Sequence, residues 1–400
     1  MAAPTARVPV AEYAARIDSL LAPVRNRDAE SVALLDALGR VTASAVASPV
    51  DLPPFRNSQM DGFAVRSGDV AGVPVELPIL GEIAAAPGEP EALAAGSTVR
   101  IMTGAPIPPG ADAVVPVEDT TVSGTTVRVL RSRAAGDYVR EAGSDLRVGD
   151  ELLPAGIRIE SRHLAALAAA GLTTVSVASR VRVAVVSTGS ELVEPGGELG
   201  PGQIPDSNGI ALRAAAAGCG AVVVHAARVR DDPDDLRSQF DRAVVAGAEV
   251  ILTSGGVSMG EHEVVRDLLG PRGAWIGSVA MQPGGPQANA EYAGLPVVCF
   301  PGNPVSSQLS FALFVAPLLR ELAGLAPAAE GRRAITTAVR SLPGRRQYLR
   351  GRRLPTGEVA VIGGPGSHLV AALAASDVLI VVPEDVVDVA AGDLVEVLSL

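Results

Sequence analysis

The chain has 400 residues, a length that accommodates roughly two to four domains. Apolar residues make up 48% and charged residues 19%, which supplies sizeable cores and excludes a disordered chain. The net charge of −11, with no basic run and no basic stripe interleaved with aromatics, excludes nucleic acid as the natural partner. An anionic small ligand stays open, provided that a cation mediates its contacts near acidic loops.

The rarer residues narrow the chemistry further. Cys219 and Cys299 sit in apolar runs and form neither a disulfide framework nor a zinc pattern. The four histidines, His163, His225, His262 and His368, are scattered, which argues against a His-based metal site or a Ser/His/Asp triad. All 33 basic residues are arginine, so no Walker P-loop or Schiff-base lysine is available. The first residues lack the apolar core of a signal peptide, and no apolar run reaches membrane-spanning length. The expected location is the cytoplasm.

In chain order, apolar spacing predicts helix from Val10, through Ile17, Leu20, Leu21 and Val24. A second helical segment is predicted over Ala29 to Leu38, stopped by Gly39. From Pro49 to about Arg140, short apolar runs broken by Pro and Gly predict a β module. Within it, Ala84 to Gly96 reads as a surface loop. A turn-rich stretch around Gly143 to Gly156 precedes a helix over Arg162 to Ala170. From Val181 strand and helix alternate: strands at Val181–Ser187, Val222–Val229, Glu249–Thr253, near Trp275–Met281 and at Val297–Phe300. The helices fall at Asn208–Ala217, Pro233–Val245, Glu261–Leu269 and, as one long helix, Pro304–Leu322. That alternation predicts a mostly parallel, doubly wound α/β domain. After a linker at Ala323 to Arg332, short strands return to Leu400, enough for a small barrel or sandwich.

In an open α/β sheet, ligands bind outside the carboxyl ends of the strands. The polar and Gly-rich segments all follow strands. They are Ser187-Thr188-Gly189-Ser190-Glu191, Arg230-Asp231-Asp232-Pro233, Thr253-Ser254-Gly255-Gly256-Val257-Ser258-Met259-Gly260 and Phe300-Pro301-Gly302-Asn303-Pro304. Glycines between a strand and a helix permit positive φ and close approach of backbone N–H groups to an anion, although a tight turn alone would also account for them. Asn303 before Pro304 has the form of a helix N-cap, with Ser306 and Ser307 in the first turn. Glu191, Asp206, Asp231 and Asp232 place carboxylates beside this predicted cradle. Carboxylates and phosphates repel without a hard cation between them, so Mg²⁺ is expected; helix capping is the alternative for Asp206 and Asp232. Upstream, Asp61 lies in a polar loop led by Pro53 and Pro54, where it reads as a turn residue.

Six stretches together resemble the molybdopterin molybdenumtransferase family of MoeA and the gephyrin E domain. They are Leu52–Arg66, Ile101–Asp119 (IMTGAPIPPGADAVVPVED), Arg140–Gly156, Ser187–Asn208, Thr253–Gly260 and Pro301–Ser306. The resemblance runs in order over nearly the whole chain. It implies an elongated, multidomain α/β plus β subunit. Residues 1–48 and 141–178 would form a split helical/β linker domain, and 49–140 a β-rich domain. Residues 179–327 would be the molybdopterin-binding α/β domain and 328–400 a C-terminal β-barrel. It further implies a homodimer, with an active site where one subunit's α/β domain meets the other's β domain. The implied reaction inserts molybdate into adenylylated molybdopterin and releases AMP, with a divalent metal, Mg²⁺. Motif by motif, Asp61, Thr103, Asp145 and Glu191 correspond to catalytic positions. Thr188, Gly189, Ser254, Gly255, Gly256 and Ser258 would bind the pterin nucleotide, Pro301, Gly302 and Pro304 would form the molybdate-side loop, and Ser367 falls in the family's Ser-Gly segment. Glu191, Asp231 and Asp232 would serve the metal.

Four positions depart from the pattern, among them His368, which replaces the Gly that usually follows Ser367. The family's Thr-Gly-Asp-Glu-Leu reads Thr188-Gly189-Ser190-Glu191-Leu192, which keeps the Glu, and Arg56 stands where many members carry Asp. The family's Pro-Gly-Lys-Pro reads Pro283-Gly284-Gly285-Pro286, so Gly285 occupies the lysine position. That loss favours a second class of function: a catalytically impaired paralogue that binds a pterin or another protein without turnover.

Overall fold

A computed structural model describes residues 7–257 and 263–400. The chain divides into two compact units, a larger one of residues 1–30 and 178–400 and a smaller one of residues 31–177. It opens on helix α1 (Val10–Leu20), which belongs to the larger unit and buries Val10, Tyr13 and Ile17 on one face. Those positions are spaced by three and four, so one helical stripe points inward.

The predicted second helix over Ala29 to Leu38 is not observed. Ala29–Ala33 is a strand and Leu35–Ala37 a single tight turn. Backbone pairing overrides local propensity here: Leu34 N–H donates to the Thr173 carbonyl at 3.2 Å, and Ala43 N–H to Ser176 at 3.1 Å. Gly39 does take positive φ, +74°, where the predicted helix was to end.

The smaller unit carries the predicted β module. Its sheet contains β1 (Gly62–Val65), β2 (Val75–Ile83), β3 (Thr98–Ile101), β4 (Ala113–Pro116), β5 (Thr120–Ser123) and β6 (Thr126–Val129). Their order is β4-β1-β3-β2-β6-β5. Phe63 and Val65 face one apolar cluster while Ala64 faces another, the two-residue alternation of a sheet buried on both sides. Helix α2 (Ser161–Ala169) follows, close to prediction, and Leu167 joins a third cluster with Ile159 and Val177.

The α/β part of the larger unit contains β7 (Arg182–Thr188), α3 (Ser207–Gly218), β8 (Val222–Val229), α4 (Pro233–Val245), β9 (Val250–Ser254) and α5 (Val264–Leu269). It continues with β10 (Trp275–Ser278), β11 (Pro286–Tyr292), β12 (Leu295–Phe300), α6 (Pro304–Phe314) and α7 (Ala316–Leu322). The sheet order is β8-β7-β9-β12-β11-β10. The first four strands pair in parallel, and β11 and β10 add antiparallel at the edge. Val183, Val185, Val250 and Leu252 pack with α1, α3, α6 and α7, whereas Ala184, Val186 and Ile251 pack with α4 and α5. Alternate residues of each strand thus serve opposite helix layers, as a doubly wound domain requires.

Two expectations in this part are corrected. The single helix over Pro304–Leu322 is two helices, because Pro317 in the first turn of α7 has no N–H to continue the ladder. The sequence pattern predicts no strand over Pro286–Tyr292, which forms one that pairs with both β10 and β12. The C-terminal part contains β13 (Ala329–Ala334), β14 (Arg346–Arg353), β15 (Val359–Val361), β16 (Val378–Val382) and β17 (Leu394–Ser399). Residues Met281–Gln282 pair with β14, and the order continues β14-β16-β17-β13, with β15 beside β14. Among the described residues, no helix is long and apolar enough to cross a membrane.

Leu252 lies fully buried on the central strand β9. Leu252→Ala is expected to cost about 2–5 kcal/mol through lost burial and the cavity left behind. The sole tryptophan, Trp275, packs against the same core, so its fluorescence during urea unfolding of the full chain reads the loss.

Candidate functional site

The parallel strands end together, and their loops build the floor of the site. At the end of β9, Gly255 has φ +94° and Gly256 φ +67°, both left-handed. A Cβ on Gly255 would lie 2.4 Å from the Thr188 carbonyl oxygen, so β7 and β9 approach more closely than any side chain permits. Gly255 N–H is used within this floor, donating to the Phe300 carbonyl at 3.0 Å. The donors left for an anion are the next ones along the loop, Gly256 and Val257, whose N–H groups have no partner among the described residues. Ser258, the last polar residue predicted for this loop, lies outside the described residues.

Asn208, in the first turn of α3, ties two of these loops together. Its Nδ2 donates to Ser254 Oγ at 2.7 Å and to the Gly302 carbonyl at 2.6 Å, while its buried Oδ1 has no partner among the described residues. Ser307 Oγ also reaches Ser254 Oγ, at 3.4 Å. The loop after β7 is joined to the loop after β8 by a reciprocal pair. Ser190 N–H donates to Asp231 Oδ2 at 2.9 Å, and Asp231 N–H donates to Ser190 Oγ at 3.1 Å. At the start of α6, Val305 N–H donates to the Ser367 carbonyl at 3.1 Å, which draws the loop at 365–368 onto the helix terminus. Asn303 occupies the predicted N-cap position of α6, but its side chain makes no capping bond.

These loops enclose a cavity of about 890 Å³, within the range of sites for small organic ligands. Of the residues predicted from sequence, Thr188, Gly189, Glu191, Asp231, Ser254, Gly255, Gly256, Pro301, Gly302, Pro304 and Ser367 all line it. Gly285 lines it as well. Asp232 does not: its Oδ1 accepts from Asp234 N–H at 2.9 Å and caps α4, the capping alternative that Pro233 after it already suggested. Asp206 both caps α3, accepting from Gly209 N–H at 2.8 Å, and lines the cavity. No group of three or more His, Cys, Asp or Glu side chains among the described residues is placed to hold a metal by itself. The cavity also holds Arg7, Glu263 and Arg345, none of which belongs to a recognisable sequence motif. Each lies outside the strand-end motifs.

Asp61, Thr103 and Asp145 belong to the smaller unit and are exposed. Asp61 Oδ1 accepts from Thr103 N–H at 2.7 Å and from Thr103 Oγ1 at 2.8 Å, closing the loop after β3 onto the turn before β1. The backbone N–H of Thr103, followed by its hydroxyl, holds the Asp61 carboxyl below the ordinary carboxylate range. Asp145 contributes its backbone N–H to the Leu52 carbonyl at 2.9 Å.

Residues 8–171 match the family described as "MoeA N-terminal region (domain I and II)", residues 184–321 the "Probable molybdopterin binding domain", and residues 332–400 the "MoeA C-terminal region (domain IV)". A Mycobacterium tuberculosis protein named molybdopterin molybdenumtransferase 2 is 42% identical over 384 residues, covering 92% of this chain and 95% of that protein. The chain belongs to the MoeA family. A Synechococcus elongatus protein named molybdopterin molybdenumtransferase is 36% identical over 412 residues, covering 98% of this chain and all of its own. The crystal structure of a molybdopterin biosynthesis MoeA protein from Pyrococcus horikosii has a TM-score of 0.83 at 31% identity, covering 98% of this chain and 99% of that one. The mixed α/β and β architecture is therefore the MoeA fold.

Gly255→Ala combines a left-handed backbone with a backbone clash and is expected to cost roughly 1–3 kcal/mol, read as a lower unfolding midpoint. For Asp61, the depressed value means that its tie to Thr103 is present above the ordinary carboxylate value and lost as pH falls through the folded one. NMR titration of Asp61 is expected to give a midpoint below that of an unstructured Asp. Thr103→Val should raise it only part of the way, since the backbone N–H remains. A full return would make the hydroxyl the larger cause.

Proposed function

We propose that this MoeA-family chain is a molybdopterin molybdenumtransferase that inserts molybdate into adenylylated molybdopterin and releases AMP. The observation that carries the reading is the cavity at the strand ends, where a Gly-Gly floor, the start of α6 and the carboxylates Glu191 and Asp231 face one volume. Such a volume suits a polyanionic ligand. Gly256 and Val257 N–H groups would donate to its phosphate oxygens, with the adjacent start of α6 favouring negative charge. Asn208 holds Ser254 and Gly302 in register through its Nδ2.

The donor set suits Mg²⁺, which is commonly held by one or two carboxylates and completed by water and substrate phosphates. Glu191 and Asp231 would hold it, Asp231 keeping one oxygen on Ser190 N–H. Bound there, the ion would neutralise and polarise the ligand's pyrophosphate. A homodimer and catalytic roles for Asp61, Thr103 and Asp145 belong to the same reading. The relatives that carry names are called transferases, which leaves the impaired paralogue without support beyond Gly285.

The test is AMP release by the purified chain from adenylylated molybdopterin, molybdate and Mg²⁺. Turnover is expected, with Glu191→Gln lowering kcat at least tenfold and Asp61→Asn lowering it as well. No AMP release by the folded wild-type protein would exclude the transferase reading.

A further inference from the structure

Arginine supplies every Lys/Arg-type cation of this chain, and two arginines line the cavity, Arg7 and Arg345, facing a surface that includes Glu191, Asp206, Asp231 and Glu263. Arg7 arrives there by a defined route. Val8 N–H donates to the Ser278 carbonyl at 2.9 Å, and Ala280 N–H donates to the Val8 carbonyl at 2.7 Å. Directly behind, α1 is locked into the core by Val10, Tyr13 and Ile17, and the Tyr13 ring packs 5.0 Å from Trp275 and 4.8 Å from Phe314. The residue ahead of Val8 is therefore held against the segment 278–280. That segment is itself bonded to the Gly285 turn, Val279 N–H donating to the Gly285 carbonyl at 2.7 Å. Gly285 presents no side chain to the cavity, and Arg7, which lines the same cavity, is exposed and has no ion pair or hydrogen bond among the described residues. By contrast, Arg25, Arg133 and Arg346 all engage carboxylates.

An unpaired guanidinium at the wall of a cavity lined by polar loops is a ready donor fork for a tetrahedral oxyanion, which it can hold through two parallel N–H bonds. We propose that Arg7 is an oxyanion-binding residue of this cavity, taking beside Gly285 the place that a basic side chain at position 285 would otherwise fill. Which oxyanion it holds, free molybdate or the phosphate of a nucleotide, rests on the transferase reading; that it binds one does not.

Position 285 supplies the control. A Cβ there would sit 3.3 Å from Ser278 Oγ and 3.4 Å from the Val279 carbonyl oxygen, so a side chain needs only small adjustments. The experiment titrates molybdate and, separately, AMP into the full chain by calorimetry at fixed ionic strength, for wild type, Arg7→Gln, Arg7→Lys and Arg7→Gln combined with Gly285→Lys. An unchanged Trp275 emission and melting temperature would confirm that the exposed substitution leaves the fold intact. Arg7→Gln is expected to weaken one oxyanion at least tenfold, Arg7→Lys less, and Gly285→Lys to restore part of the loss. Loss in the molybdate arm assigns the metal oxyanion, and loss in the AMP arm the nucleotide phosphate. In turnover, the corresponding KM rises while kcat stays within about threefold. Wild-type binding of neither anion, or Arg7→Gln affinities within twofold of wild type for both, would overturn the proposal. AMP release with an unchanged KM in Arg7→Gln would sink Arg7 alone. Weakened molybdate binding in a protein that never releases AMP would sink the transferase reading and leave Arg7 standing.

Discussion

Everything in the cavity depends on how closely β7 and β9 approach at their carboxyl ends. Gly255 lies where a Cβ would be 2.4 Å from the Thr188 carbonyl oxygen, and the backbone there is left-handed. Only glycine satisfies both conditions. Once that contact is made, Gly255 N–H bonds the end of β12, and the next N–H groups of the loop, those of Gly256 and Val257, have no partner among the described residues. Ser254 is then within reach of Asn208, and Asn208 of Gly302. The floor is thus fixed by backbone geometry, and the side chains around it refine what that floor can hold.

The order of sheet strands explains why so much of the site was legible in sequence. Loops after parallel strands must gather at one edge, so the strand–helix alternation alone groups Thr188, Glu191, Asp231, Ser254 and Gly302. The same rule fails for residues that reach the edge from elsewhere. Arg7 comes from an N-terminal segment that pairs with residues 278–280, and Arg345 precedes a C-terminal strand, β14. Neither placement leaves a local pattern. Asp231 and Asp232 illustrate a finer limit: adjacent and chemically identical, they diverge because one accepts from Ser190 N–H while the other caps α4.

Fold legibility follows similar lines. Pro233–Val245 has a capping Asp232, a proline at its first position and a clear apolar stripe, and its observed bounds match the predicted ones. Ala29–Leu38 offered helical spacing as well, but pairing with the 173–176 region determined its structure. Pro286–Tyr292 was hidden by composition, since its proline and asparagine, and to a lesser degree its alanines and glutamate, are poor strand formers in isolation. Its backbone bonds to β10 and β12 on both sides supply what its side chains do not.

The anchoring of α1 has a consequence for how the protein is made. Tyr13 packs against Trp275 and Phe314, and its hydroxyl reaches the Ala288 carbonyl across a separation of 275 residues. During synthesis, the apolar stripe of Val10, Tyr13 and Ile17 therefore emerges from the ribosome long before its partners exist. Closing such a distant contact carries a loop-entropy cost and comes late. The nascent chain must keep this stripe from other apolar surfaces in the interval, a period in which misassociation competes with folding. The wall of the cavity beside Gly285 is then among the last parts of the larger unit to form.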